Sequence, residues 1–180
     1  MIIAKAKKKE NIAEYLLYMW QVENLIRLLN LDIEKIKKEI IDKFDQPDTV
    51  KSEMEDWYLG LISMMKEENK IEQGHVQFIQ NTVNDLNDLH LRLMSSSEDF
   101  DYKAFYALAK PGIDDLLRKS AQTEVSEIEV CFNALYGLLL LRMQSKTISP
   151  ETAEAMHHIS KLIAELSKKH KQIESGEIGI

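Results

Sequence analysis

One cysteine, Cys131, leaves no partner for an intrachain disulfide, and no Cys/His spacing of the kind that holds zinc occurs in the chain. Proline and glycine are scarce, at three and six residues in 180, while long stretches of Leu, Ile, Glu, Lys and Met favour helix. Basic residues are outnumbered. The net charge of −7 argues against general nucleic-acid binding, which needs a basic face. Met1 to Ala4 is too short an apolar run for a signal-peptide core and precedes the lysines instead of following them, so the cytoplasm is the expected compartment. A Gly-rich phosphate loop, a nucleophile elbow and a Walker-type motif are all missing. What is left is an ordinary globular balance, 44% hydrophobic and 29% charged, in a chain long enough to bury a core without staples.

The most apolar stretch is Val125 to Met143, VSEIEVCFNALYGLLLLRM. On a helical wheel Val125, Ile128, Cys131, Phe132, Leu135, Leu138, Leu139 and Met143 form one broad stripe, and Val130, Ala134, Leu140 and Leu141 lie outside it. A bilayer span needs about 20 apolar residues, and Glu127, Glu129 and Asn133 interrupt the first half of this one. The pattern predicts the central helix of a bundle, buried on most sides, with Cys131 an inert thiol in its stripe.

Six further segments carry helical periodicity. The first, about Lys8 to Leu29, places Ile12, Tyr15, Met19, Val22, Ile26 and Leu29 opposite a polar wall. Glu23 falls inside its apolar sector. An unpaired carboxylate there would be costly, so a cation is expected beside it, with Arg27 at i+4 or Arg142 of the central helix as the candidates. Asp32 is placed to cap a second helix, Ile33 to Phe44. A third helix starts near Thr49 or Val50 and carries Met54, Trp57, Tyr58, Leu61, Met64 and Met65. The charged run Lys66 to Glu72 with Gly74 marks a turn or a junction. A fourth helix, about His75 to Met94, puts His90 on its apolar face as a hydrogen-bonded core or interface histidine rather than a ligand. Ser95 to Asp99 reads as a loop, and Pro111-Gly112 should kink or split the fifth helix. Ser149-Pro150 opens the last helix, whose expected core face is Ala153, Met156, Ile159, Ile163 and Leu166.

The run KKKENIAEYLLYMWQVENLIR, Lys7 to Arg27, resembles the opening of a family of small all-helical bacterial proteins of about this length, labelled as a domain of unknown function. The resemblance implies the all-helical class. It carries over no activity, cofactor or catalytic residue.

Chemistry is thinly marked. Two Glu-x-x-His motifs, Glu72 to His75 and Glu154 to His157, have the spacing used by ferritin-like di-iron bundles. Against that use, Glu154 lies almost opposite the apolar face of its helix, and Gly74 interrupts the first motif. The lysines at positions 5, 7, 8 and 9 could meet an anionic surface, although such a run more often begins a solvated helix.

The expectation is therefore an all-α bundle of six or seven helices, one domain over residues 1–180, with 1–8 and 168–180 frayed. Without a catalytic residue or cofactor to assign, it should act in the cytoplasm through protein–protein contacts or self-association as a homodimer, because its first helix is apolar around most of its circumference. Binding of a metal or small ligand through Glu72, His75, Glu154 and His157, and membrane-surface binding through the N-terminal lysines, are the alternatives.

Overall fold

A computed structural model describes residues 2–120 and 125–178. It contains eight α-helices among the described residues: α1 (Ile2–Glu10), α2 (Ile12–Leu28), α3 (Ile33–Glu39), α4 (Asp48–Glu67), α5 (Gln77–Ser95), α6 (Phe100–Lys119), α7 (Glu127–Met143) and α8 (Pro150–Glu174). A 3₁₀ turn, Ile41–Lys43, follows α3, and no strand occurs among the described residues. The all-α expectation holds, with one more helix than the upper expected number.

The extra helix comes from Asn11. The expected first helix, Lys8 to Leu29, is interrupted at Asn11, which takes an extended backbone and whose side chain accepts hydrogen bonds from the amides of Ala13 and Glu14, so that its first residues belong to a separate helix begun at Ile2. Asparagine suits this N-cap role, which starts α2 afresh. The stretch expected to fray at the start is helical from Ile2, with Ala4 buried, and the last helix runs through Glu174. Met1, Gly179 and Ile180 of the stretches expected to fray lie outside the described residues. Asp32 caps α3 as expected, but that helix ends at Glu39. The backbone leaves helical geometry at Ile40, which brings Ile41 into the core beside Ile36.

Pro111 neither splits nor ends α6. Its missing N–H frees one carbonyl a turn back, while the neighbouring glycine serves helix packing. A Cβ on Gly112 would stand 3.3 Å from that of Ala155, so the glycine lets α6 and α8 approach closely. Ser149 caps α8 and Pro150 occupies its first turn, as the sequence predicts. The buried face of α8 is Met156, Ile159, Leu162, Ile163, Leu166 and Ser167; Ala153, expected inside, is exposed.

One apolar cluster runs through the molecule, with Trp20, Tyr58, Tyr102 and Phe132 among its largest fully buried side chains. Around it α7 packs against α2, α5, α6 and α8. Its placement amid those helices matches the sequence, but its burial does so only halfway. Ile128, Val130, Cys131 and Phe132 are buried, whereas Ala134 to Leu140 are half-buried and Leu141, Arg142 and Met143 exposed.

Candidate functional site

Glu23 is fully buried, as its place in the apolar sector of α2 predicts. Its partners are not the expected arginines. One carboxylate oxygen lies 2.5 Å from His75 Nδ1, and the other accepts the Val76 amide at 2.9 Å. Val76 is the N-cap of α5 and has no side-chain acceptor for the amides of that helix start. Carboxylates from elsewhere serve instead: Glu23 reaches Val76, and Glu68 accepts the Gln77 amide at 2.5 Å. Negative charge at a helix N-terminus is favourable, which explains why an acid sits in the core-facing sector of α2.

Arg27 completes the hold on the α4–α5 connection. Its guanidinium donates to the Lys70 carbonyl at 3.0 and 3.3 Å and to the Gly74 carbonyl. A third branch reaches Asn24 Oδ1 at 2.9 Å, and Asn24 donates to the Tyr136 hydroxyl of α7 at 2.6 Å. The His75 ring stacks on Trp20 with centroids 4.1 Å apart, and Trp20 meets Phe132 and Tyr136 edge-on. Trp20, Glu23, Asn24 and Arg27 thus clasp the loop after α4 and tie it to α7. Arg142, the other expected partner, is exposed at the far end of α7.

A second polar cluster surrounds His90, which is 3% exposed. Its Nδ1 is 2.7 Å from the Tyr102 hydroxyl, and its Nε2 lies 3.6 Å from Glu127 Oε2, longer than a good hydrogen bond. Lys110 approaches the other Glu127 oxygen at 3.2 Å. Burial holds His90 below the ordinary imidazole range against the opposing pull of Glu127. Burial, with Glu127, pushes the Tyr106 hydroxyl up to about 12. The Cys131 thiol is pushed up to about 12 by burial, with a smaller contribution from Glu127, which keeps it protonated and inert as expected. Histidine, tyrosine, lysine and glutamate could in principle move protons; His90 itself is enclosed by the core, while Lys110 and Glu127 at the edge of the cluster are partly exposed.

The metal candidates separate. His75 turns inward to Glu23, while Glu72, Glu154 and His157 are exposed. Among the described residues, no group of three or more His, Cys, Asp or Glu could hold a metal ion. The N-terminal lysines lie around the end of α1. Lys7 pairs with Glu14 at 3.0 Å, and Lys8 sits over the Tyr15 ring. Lys5, Lys8 and Lys9 line a cleft of about 530 Å³ with His170 and Lys171 of α8, but Glu10 and Glu174 share it. Lysines there complement the negative C-terminal ends of α1 and α8. Among the described residues no helix is long and apolar enough to cross a membrane.

The end of α7 carries apolar side chains on two sides. A groove of about 560 Å³ opens between α2, α7 and α8, floored by Leu17, Leu135, Leu138, Leu139 and Met156, with Glu14, Arg142 and His157 at its edges. On the opposite side of α7, Leu140 and Leu141 face outward, and a Cβ added to Gly137 would meet nothing within 4 Å. A helix that is apolar all round normally lies inside a protein. The sequence signal was present: residues 130–141 contain no charged side chain. Helical periodicity alone assigns that run to burial within one chain.

The chain belongs to the family described as a domain of unknown function (DUF4924), whose model matches residues 1–177. No curated protein and no solved structure matches it.

Proposed function

We propose that this family member is a non-enzymatic cytoplasmic protein that acts through protein–protein contact, and that the contact is made by the C-terminal half of α7. The observation that carries the reading is the uncharged leucine run Leu138 to Leu141, half-buried over its first three residues and 40% exposed at Leu141. Apolar side chains on both sides of one helix end, left partly open by the rest of the chain, fit an interaction site on a soluble domain. Two features of the polar residues agree with a contact role. The buried acid, Glu23, is used to hold a loop, and the buried histidine, His90, is sealed in the core.

The double substitution Leu140→Glu with Leu141→Glu tests the reading. A face kept for contact contributes little to folding, so the variant should retain the helical circular dichroism of the wild type. Its melting temperature should fall by no more than about 5 °C, as expected for two partly exposed leucines in a domain of this size. Loss of cooperative unfolding would make the face part of the folding core and end the proposal.

A further inference from the structure

The groove between α2, α7 and α8 has the form of a small-molecule site. Its volume of about 560 Å³ falls within the roughly 300–1,000 Å³ of ligand clefts, which are mostly apolar and carry a few polar groups. The floor is Leu17 of α2 with Leu135, Leu138 and Leu139 of α7. On α8, Ala153, His157, Ser160 and Ala164 recur at spacings of four, three and four, so they share one side of that helix. All four are exposed, and the three small ones leave the space above the leucines open.

The polar edge sets the chemistry. Glu14 is already occupied by Lys7, at 3.0 Å. Arg142 and His157 line the same edge, and neither makes an ion pair or a side-chain hydrogen bond among the described residues. The uncompensated charge of the groove is therefore a permanent guanidinium, with an imidazole as a further polar partner. A guanidinium matches a carboxylate through two parallel hydrogen bonds.

The chain direction sets the length. α7 and α8 are joined by residues 144–149 and pack together, so they run antiparallel. Arg142 and Ala153 stand at the connection end of the groove, and Leu135 and Ala164 at the other. From Arg142 back to Leu135 is two turns of helix, about 10 Å. An extended chain advances ~1.2 Å per bond, so that length takes roughly eight to ten carbons.

We infer that the groove binds an aliphatic monocarboxylic acid of medium chain length. Its carboxylate sits on Arg142 with His157 at the rim, and its tail lies over Leu138, Leu139 and Leu135 toward Ala164. The inference goes beyond the contact reading and does not rest on it, because Leu140 and Leu141 lie on the other side of α7.

Isothermal titration calorimetry of the full chain with sodium decanoate is the test. The wild type should bind one decanoate with a Kd on the order of 10–100 μM, within reach of a ligand of this size. Decyltrimethylammonium, with the same tail and the opposite charge, should bind at least about tenfold more weakly. Arg142→Gln should weaken decanoate binding at least about fivefold, and Ala164→Phe, which fills the tail end, by a similar factor. Both positions are exposed, so each variant should keep the helical circular dichroism of the wild type. Failure here leaves the contact reading to its own variant, Leu140→Glu with Leu141→Glu. No saturable heat up to about 1 mM decanoate, equal binding of the two amphiphiles, or decanoate affinity undiminished in either variant would overturn the inference.

Discussion

Glu23 Oε2 and His75 Nδ1 lie 2.5 Å apart, joining the middle of α2 to the residue two before α5, and the same carboxylate accepts the Val76 amide. Truncating Glu23 therefore leaves a buried backbone N–H and an imidazole without their acceptor. Glu23→Ala should destabilise the protein by about 2–4 kcal/mol, measured by urea unfolding monitored at the helical circular dichroism band. A loss below about 0.5 kcal/mol would mean that water replaces the carboxylate at little cost.

His90 links stability to pH. Burial disfavours its charged form and Glu127 opposes that only in part, so its pKa is lower folded than unfolded. The unfolded chain then binds more protons below about pH 6.5, the ordinary histidine value, and stability falls as pH drops from there toward the folded value. His170 is shifted the same way by burial. The melting temperature should be level above about pH 7 and decline toward pH 5, and His90→Gln should make that decline shallower. An equally steep decline in the variant would assign the effect to other groups.

Two glycines should respond in opposite directions. Gly74 has a φ of +81° in the loop that Arg27 clasps, where a side chain is strained. Gly60 lies within α4, and a Cβ there meets nothing within 4 Å. Gly74→Ala should cost about 1 kcal/mol, while Gly60→Ala should add about 0.5–1 kcal/mol through helix propensity. Urea midpoints of the two variants give the comparison, and a gain from Gly74→Ala would contradict the positive-φ argument.

Much of the helical layout was readable because apolar periodicity and caps are local. Asp32, Ser149 and Pro150 each signal a helix start within their own turn, and the structure uses all three. Asn11 carries the same kind of signal, but it follows directly on the charged run Lys7 to Glu10. Glu23 shows the other limit. Its burial follows from the wheel of α2, but its partner, His75, is 52 residues away. The nearer cation, Arg27, is drawn to the carbonyls of Lys70 and Gly74. Long-range partners depend on how helices cross, which no local pattern encodes. The end of α7 shows a related limit. Composition says that a leucine-rich helix will be covered, but it does not say whether the cover comes from the same chain.

Sedimentation velocity of the wild type and the Leu140→Glu/Leu141→Glu variant, run from low to high micromolar concentration, tests the central claim most directly. The wild type should pass from monomer to a species of twice the chain mass, and the folded variant should remain monomeric throughout. A wild type that stays monomeric at high micromolar concentration, or a variant that associates as strongly, would contradict self-association through the end of α7.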